Sequence, residues 1–158
     1  MNPLSKIVIP LTPQTVTGAS TLTGVIDTLG YDYAEVVLVM NQMAATSVPT
    51  MVGLAESDVA TTVFTDATAI IASTGGAATT TAVAFVIPAM STVVTSRYCI
   101  KWNVDLHGRK RYLDFKAVFG AEAAQTIATL ARLSKGEKGP VNSTDAGVVA
   151  LVEVGNKV

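Results

Sequence analysis

The sequence predicts an all-β fold, and three observations predict it. Val and Thr are abundant, and β-branched side chains favour pleated surfaces. Period-two alternation recurs in eight or so short segments, at intervals of roughly 10–15 residues, with almost no helical periodicity. One stretch, residues 98–119, alternates well enough to propose a strand register. Together these describe an antiparallel β-sandwich or barrel.

Residues 1–20 hold Pro3, Pro10 and Pro13 among Thr, Gln and Ser. Each Pro removes a ladder donor, so a central strand is not expected there. The reading is an extended N-terminal arm over 1–20, pairing at an edge over 6–11, followed by one β-sandwich domain over 21–158. Residues 21–28 alternate loosely, and 29–32 (Leu-Gly-Tyr-Asp) form a turn. Residues 33–43 make a long strand with Ala34, Val36, Leu38 and Met40 on a uniformly apolar face. A strand over 46–56 places Val48, Val52 and Leu54 on one side, and a polar turn leads to a short strand anchored by Phe64. The Gly/Ala/Thr run 73–81 reads as a loop. Val83, Phe85 and Ile87 mark a strand that Pro88 stops, and 126–133 alternates Ile127, Thr129, Ala131 and Leu133 against Ala128, Leu130 and Arg132. Residues 135–140 are a turn, Asn142 to Asp145 offer N-cap residues, and four valines in 148–154 favour a final strand.

The 98–119 stretch contains the only Trp, Cys and His and the densest basic cluster. Turned back at His107-Gly108 it forms a hairpin, with Asp105 opposite Lys110, Lys101 opposite Asp114 and Cys99 opposite Lys116. Trp102, Ile100 and Tyr98 then share an apolar face with Leu113, Phe115 and Ala117. At the tip, Val104 and Leu106 lie opposite Arg109 and Arg111, and the run Arg109, Lys110 and Arg111 reads either as a solvated turn or as an apolar and basic end suited to docking on a partner protein. Charge reversal at Arg109 and Arg111 is expected to weaken that docking and to leave the fold intact.

Composition narrows the function classes. The chain of 158 residues is 49% hydrophobic and 15% charged, with net charge −1, against roughly 25% charged in ordinary soluble domains. A direct nucleic-acid binder would need a basic footprint. The single cysteine excludes an intrachain disulfide. No apolar run approaches the ~18–20 residues of a membrane helix, and the first ten residues do not compose a signal peptide, so synthesis in the cytoplasm and no membrane partner are expected. With one His there is no base for a Ser or Cys nucleophile beyond His107, and neither a Gly-x-Ser-x-Gly nor a P-loop motif occurs. No catalytic, cofactor-binding or metal residue is expected, and the protein does not read as an enzyme. A sparsely charged exterior points instead to a surface covered by neighbours.

The segment 26–34 (Ile-Asp-Thr-Leu-Gly-Tyr-Asp-Tyr-Ala), the segment 54–58 (Leu-Ala-Glu-Ser-Asp), Asn103 to Leu106 before 108–113 (Gly-Arg-Lys-Arg-Tyr-Leu), and Thr144 to Leu151 carry a family resemblance. They resemble the head-module proteins of tailed bacteriophages, in particular capsid decoration, or cement, proteins. The chain departs from that pattern at His107, where Arg is expected. The resemblance implies a jelly-roll-like sandwich, a homotrimer on the outer surface of the virion, and a structural role in stabilising contacts between major capsid protein subunits. It implies no catalytic residue. A tail or neck structural subunit and a carbohydrate-binding β-sandwich on the virion surface are the alternatives.

Overall fold

The computed structural model describes residues 5–41, 49–60, 70–74, 83–84, 97–120, 125–135 and 150–154. Among them are ten strands: β1 (Ser5–Val16), β2 (Ser20–Asp27), β3 (Tyr33–Asn41), β4 (Met51–Ser57), β5 (Ile70–Thr74), β6 (Val83–Ala84), β7 (Arg97–Asp105), β8 (Tyr112–Phe119), β9 (Gln125–Ser134) and β10 (Ala150–Val154). The expectations for Phe64, the 135–140 turn and the 142–145 cap lie outside the described residues, as do the ends of the strands expected over 46–56 and 83–87.

The protein is an all-β sandwich. One sheet has the order β1-β9-β3-β7-β10 and the other β2-β8-β4-β5-β6. Four strands of each sheet are antiparallel; β10 joins β7, and β6 joins β5, in parallel. The antiparallel pairs β4·β5, β3·β7, β2·β8 and β1·β9 are nested one outside another. The chain is therefore one long hairpin whose two arms cross together from sheet to sheet.

Alternation decides what lies between the sheets. Ala34, Val36, Leu38 and Met40 are buried as their spacing predicts, and so are Ile127, Thr129, Ala131 and Leu133. Trp102 meets Phe115 edge-on across the sandwich, with ring centroids 6.2 Å apart and an interplanar angle of 71°. Such a contact adds about 0.5–1.5 kcal/mol beyond area burial.

The hairpin expected over 98–119 does not form. β7 lies between β3 and β10, whereas β8 lies between β2 and β4 in the opposite sheet. Cys99 is paired with Val39, and Lys116 with Thr23 and Gly53. Lys101 meets Glu35 at 2.6 Å rather than Asp114. The physical reason is that an alternating strand specifies which face is apolar, not which strand lies beside it. Trp102 and Phe115 share the core in either arrangement, once as neighbours on one sheet and once across the gap of about 10 Å between two. The connection decides the case: six residues, 106–111, separate the strands, and Leu106 is buried where it plugs the end of the sandwich.

β1 is extended and lies at a sheet edge, as the prolines imply. Its pairing with β9 shifts register between Val8 and Leu11 and again between Leu11 and Gln14, so Pro10 and Pro13 each fall in an irregular step. At the first shift β1 leans over the facing sheet. There the Pro10 carbonyl carbon would lie 2.8 Å from a Cβ placed on Gly24 of β2. Gly24 is thus required for close approach, not for an unusual φ. Gly24→Ala should destabilise the fold by about 1–3 kcal/mol, the cost of overpacking against backbone that cannot step aside. A urea midpoint unchanged from wild type would show that β1 does not close the sandwich at this point.

Candidate functional site

The residues singled out in the sequence, Arg109, Lys110 and Arg111, belong to an end of the sandwich built from two connections. One, residues 28–32, carries the chain from β2 to β3; the other, residues 106–111, carries it from β7 to β8. They cross between the sheets in opposite directions and have the same local construction. Each begins at an Asp whose Oδ1 accepts the N–H two residues on: Asp27 from Leu29 at 3.1 Å, and Asp105 from His107 at 3.0 Å. This is the Asx geometry that short acidic side chains provide at turns. Each then closes a β-turn, Tyr31 N–H donating to the Thr28 carbonyl and Arg109 N–H to the Leu106 carbonyl, both at 3.1 Å. Gly30 and Gly108 occupy the third turn position with φ of 86° and 71°, where an L side chain is strained.

The two arches are bonded to each other. Thr28 donates its N–H to the Arg111 carbonyl at 3.0 Å, and its hydroxyl donates to the same oxygen. Leu106 N–H donates to the Asp32 carbonyl at 2.9 Å, and Asp32 N–H to Ser134 of β9 at 3.1 Å. Two turns from opposite arms of the long hairpin are thereby held as a unit.

The basic side chains fall into three environments. Arg111 forks onto Asp27, Nε to Oδ1 at 3.0 Å and Nη2 to Oδ2 at 2.7 Å, with its guanidinium 4.8 Å from the Tyr112 ring centroid. Lys110 reaches the exposed Asp58 at 3.2 Å. Arg109 is turned inward; its side chain is 10% exposed and lies 3.6 Å from Glu56, which is 2% exposed. The Lys110 N–H also points to Glu56, at 3.5 Å. All three cations therefore have a carboxylate of their own chain, and the tip is not a free basic surface. Lys110 pairs with Asp58 instead of Asp105, because Asp105 is taken by its own turn and by the His107 ring at 2.6 Å. Val104 and Leu106 are buried, and among the described residues the large apolar side chains exposed at this end are Leu29 and Val59.

The pairing moves the titrations. The hydrogen bond from Arg111 holds the Asp27 carboxyl at about 2 against an ordinary 3.8. The His107 amide and ring keep Asp105 below its ordinary value, and the bond to Asp105 raises His107. Burial pushes the Cys99 thiol up, away from the thiolate. Cys99 and His107 do not converge, and among the described residues no three His, Cys, Asp or Glu side chains could hold a metal ion.

The exposed apolar surface lies on a different side. On the outer face of the β1-containing sheet, Leu130 and Lys101 flank Val37, while Ala128 and Cys99 flank Val39. Leu130 is 40% and Val39 43% exposed. On β1, Ile7 is 65% and Ile9 57% exposed. Burial is uneven on both outer faces: Lys101 and Asn103 are buried on this one, and Asp114, Ala55 and Ser73 on the other. No signal in the single sequence gives this pattern. The twin arches did leave a signal, the repeated Asp-x-x-Gly at 27–30 and 105–108.

No family model matches this chain, and neither a curated protein nor a solved structure matches it.

Two predictions follow from the arch geometry. Arg109→Glu places a second carboxylate beside buried Glu56, and breaking such a pair costs about 3 kcal/mol or more. The charge reversal expected from the sequence to spare the fold should therefore lower its melting temperature, which circular dichroism would register; an unaltered melt would remove the Arg109–Glu56 pair from the fold's supports. The Asp27–Arg111 bridge is half exposed and screened, worth about 0.2–1 kcal/mol. Its folded-state pKa is depressed, so its contribution is complete above about pH 4 and is lost as pH falls through about 2. The melting-temperature gap between wild type and Arg111→Gln should be constant from pH 7 to 4 and shrink between pH 4 and 2. A gap that persists at pH 2 would assign the stabilisation to the arginine's packing on Tyr112.

Proposed function

We propose that the protein is a structural subunit of a bacteriophage virion that binds the outside of the capsid and stabilises contacts between major capsid protein subunits. The observation that carries the proposal is the exposed aliphatic surface of Ile7, Ile9, Val39 and Leu130 on the β1-containing sheet. A lone soluble domain gains nothing from such a surface, and a subunit buried among neighbours does.

The nested pairing β4·β5, β3·β7, β2·β8 and β1·β9 supports the jelly-roll part of the reading, since that fold is a long hairpin wrapped so that its paired arms alternate between two sheets. Twofold use of the same Asp-x-x-Gly arch at one end suits that wrapping. Self-association as a trimer would cover the apolar face and the β1 edge. The Arg109–Glu56 pairing supports a structural role for Arg109, which leaves Lys110 and Arg111 as the tip residues able to reach a capsid subunit. A carbohydrate-binding platform would need exposed aromatic rings, and Trp102, Phe115 and Phe119 are all buried.

Expanded capsid shells lacking decoration, mixed with the purified protein, provide the test. The protein should sediment with the shells at a saturating stoichiometry and raise the temperature at which they rupture. Protein that stays wholly in the supernatant, at concentrations well above that of the shell sites, would overturn the proposal.

A further inference from the structure

We infer that the free edge of β1, over residues 5–9, is a docking site for an extended strand of the major capsid subunit that the protein contacts, a strand with apolar side chains at alternate positions. The inference names the chemistry of one contact in the proposed function and rests on that reading for the source of the strand.

The direction of the backbone groups follows from bonds at the ends of the strands. Leu106 N–H donates to the Asp32 carbonyl, in register with Tyr33 opposite Asp105. Even-numbered residues of β3 therefore turn their N–H and C=O toward β7, and odd-numbered ones toward β9. Tyr33 lies opposite Ser134, so the even-numbered residues of β9 face β3, as the Ser134 carbonyl and the Thr126 N–H both do. The odd-numbered Leu133 and Ala131 then face β1, opposite Lys6 and Val8. That directs the N–H and C=O of Ser5, Ile7 and Ile9 away from the sheet, on the side where β1 ends the strand order.

The side chains of the same stretch favour one kind of strand. Ile7, beside Arg132, and Ile9, in the irregular step opposite Leu130, are exposed on the outer face. Lys6, on the other alternation, is exposed as well and is the one charge in the stretch, which contains no proline. A strand laid along this edge meets three N–H and C=O pairs roughly 7 Å apart, with two isoleucines on one side and a cation on the other. Alternating apolar and acidic residues match it. The edge of the facing sheet is different, because the outward side chains of β2 include Thr21, Thr23 and Asp27 and make it polar and charged, as protected edges are.

Area decides between a second copy and a capsid strand. Five residues at ~3.3 Å give an edge about 16 Å long, and a strand about 10 Å across its side chains covers roughly 160 Å². A stable dimer needs ~800 Å² a side, so two copies of β1 do not hold each other through this edge alone. A segment of a subunit on which the protein already sits meets the edge at high effective concentration and needs no such area.

Ile7→Pro compared with Val8→Pro tests the edge, because only the first removes an outward N–H. Val8→Pro should lower the melting temperature well below that of Ile7→Pro. Ile7→Pro should weaken binding to expanded shells lacking decoration by about tenfold or more. In the free protein, amide exchange should be fast at Ile7 and Ile9 and slow at Val8; on shells the 5–9 segment should gain protection. A capped heptapeptide alternating Glu and Ile probes the edge without shells. At millimolar concentration it should shift the amide resonances of Ser5, Ile7 and Ile9, and a peptide of the same composition with its isoleucines contiguous should not. No shift, equal shifts from both peptides, slow exchange at Ile7 and Ile9 in the free monomer, or a Val8→Pro melt no lower than that of Ile7→Pro would each overturn the edge. Wild type that dimerises with these amides protected would assign the edge to a second copy and overturn the capsid strand. Shell binding by Ile7→Pro as tight as wild type would overturn the inference and keep the capsid reading. Peptide shifts without any shell binding by wild type would sink the capsid reading and keep the edge as a strand-binding site.

Discussion

The bonding of two arches at one end of the sandwich is the constraint on which the remaining geometry depends. Thr28 holds Arg111 and Asp32 holds Leu106, so the β2–β3 and β7–β8 connections cannot move independently. Since the first runs from one sheet to the other and the second returns, their attachment sets how the sheets are aligned. The ladders β2·β8 and β3·β7 continue from the same junction without a register shift. Trp102 and Phe115 face each other a few residues inside it.

Charge at this end serves the same purpose. Asp27 and Asp105 each use one carboxylate oxygen twice, for the turn amide and for a cation or imidazole. Glu56 at the end of β4 meets Arg109 and the Lys110 amide. A cluster that looks basic in the sequence is neutralised by acids from two other parts of the chain, Asp27 at the end of β2 and Glu56 with Asp58 at the end of β4. Burial of Ile7, Ile9, Val39 and Leu130 by a partner would be governed by buried area and would depend little on salt.

Much of the core was legible. The inward residues of β3, β8 and β9 follow from period-two alternation, because a one-residue slip would place Trp102 or Phe115 in water. The edge position of β1 follows from Pro10 and Pro13, which cannot donate to a second neighbour. The lateral partners of β7 and β8 were not legible. A hairpin and an arch bury the same side chains, and local alternation carries no information about the strand alongside. The Asp-x-x-Gly repeat could have distinguished them, since the same Asx-plus-glycine turn at 27–30 joins strands that no hairpin reading pairs.

Composition and alternation by themselves determined that this chain is a β-sandwich and which side chains fill it. These are properties of single segments and sums over them. Only the tertiary structure decided that residues 98–119 span two sheets, that Arg109 is internal, and that Ile7, Ile9, Val39 and Leu130 are exposed together on the β1-containing sheet. Each of those depends on groups distant in sequence, Glu56 with Arg109, Asp27 with Arg111, Ile7 with Leu130, whose proximity arises from how the long hairpin wraps and from no local preference.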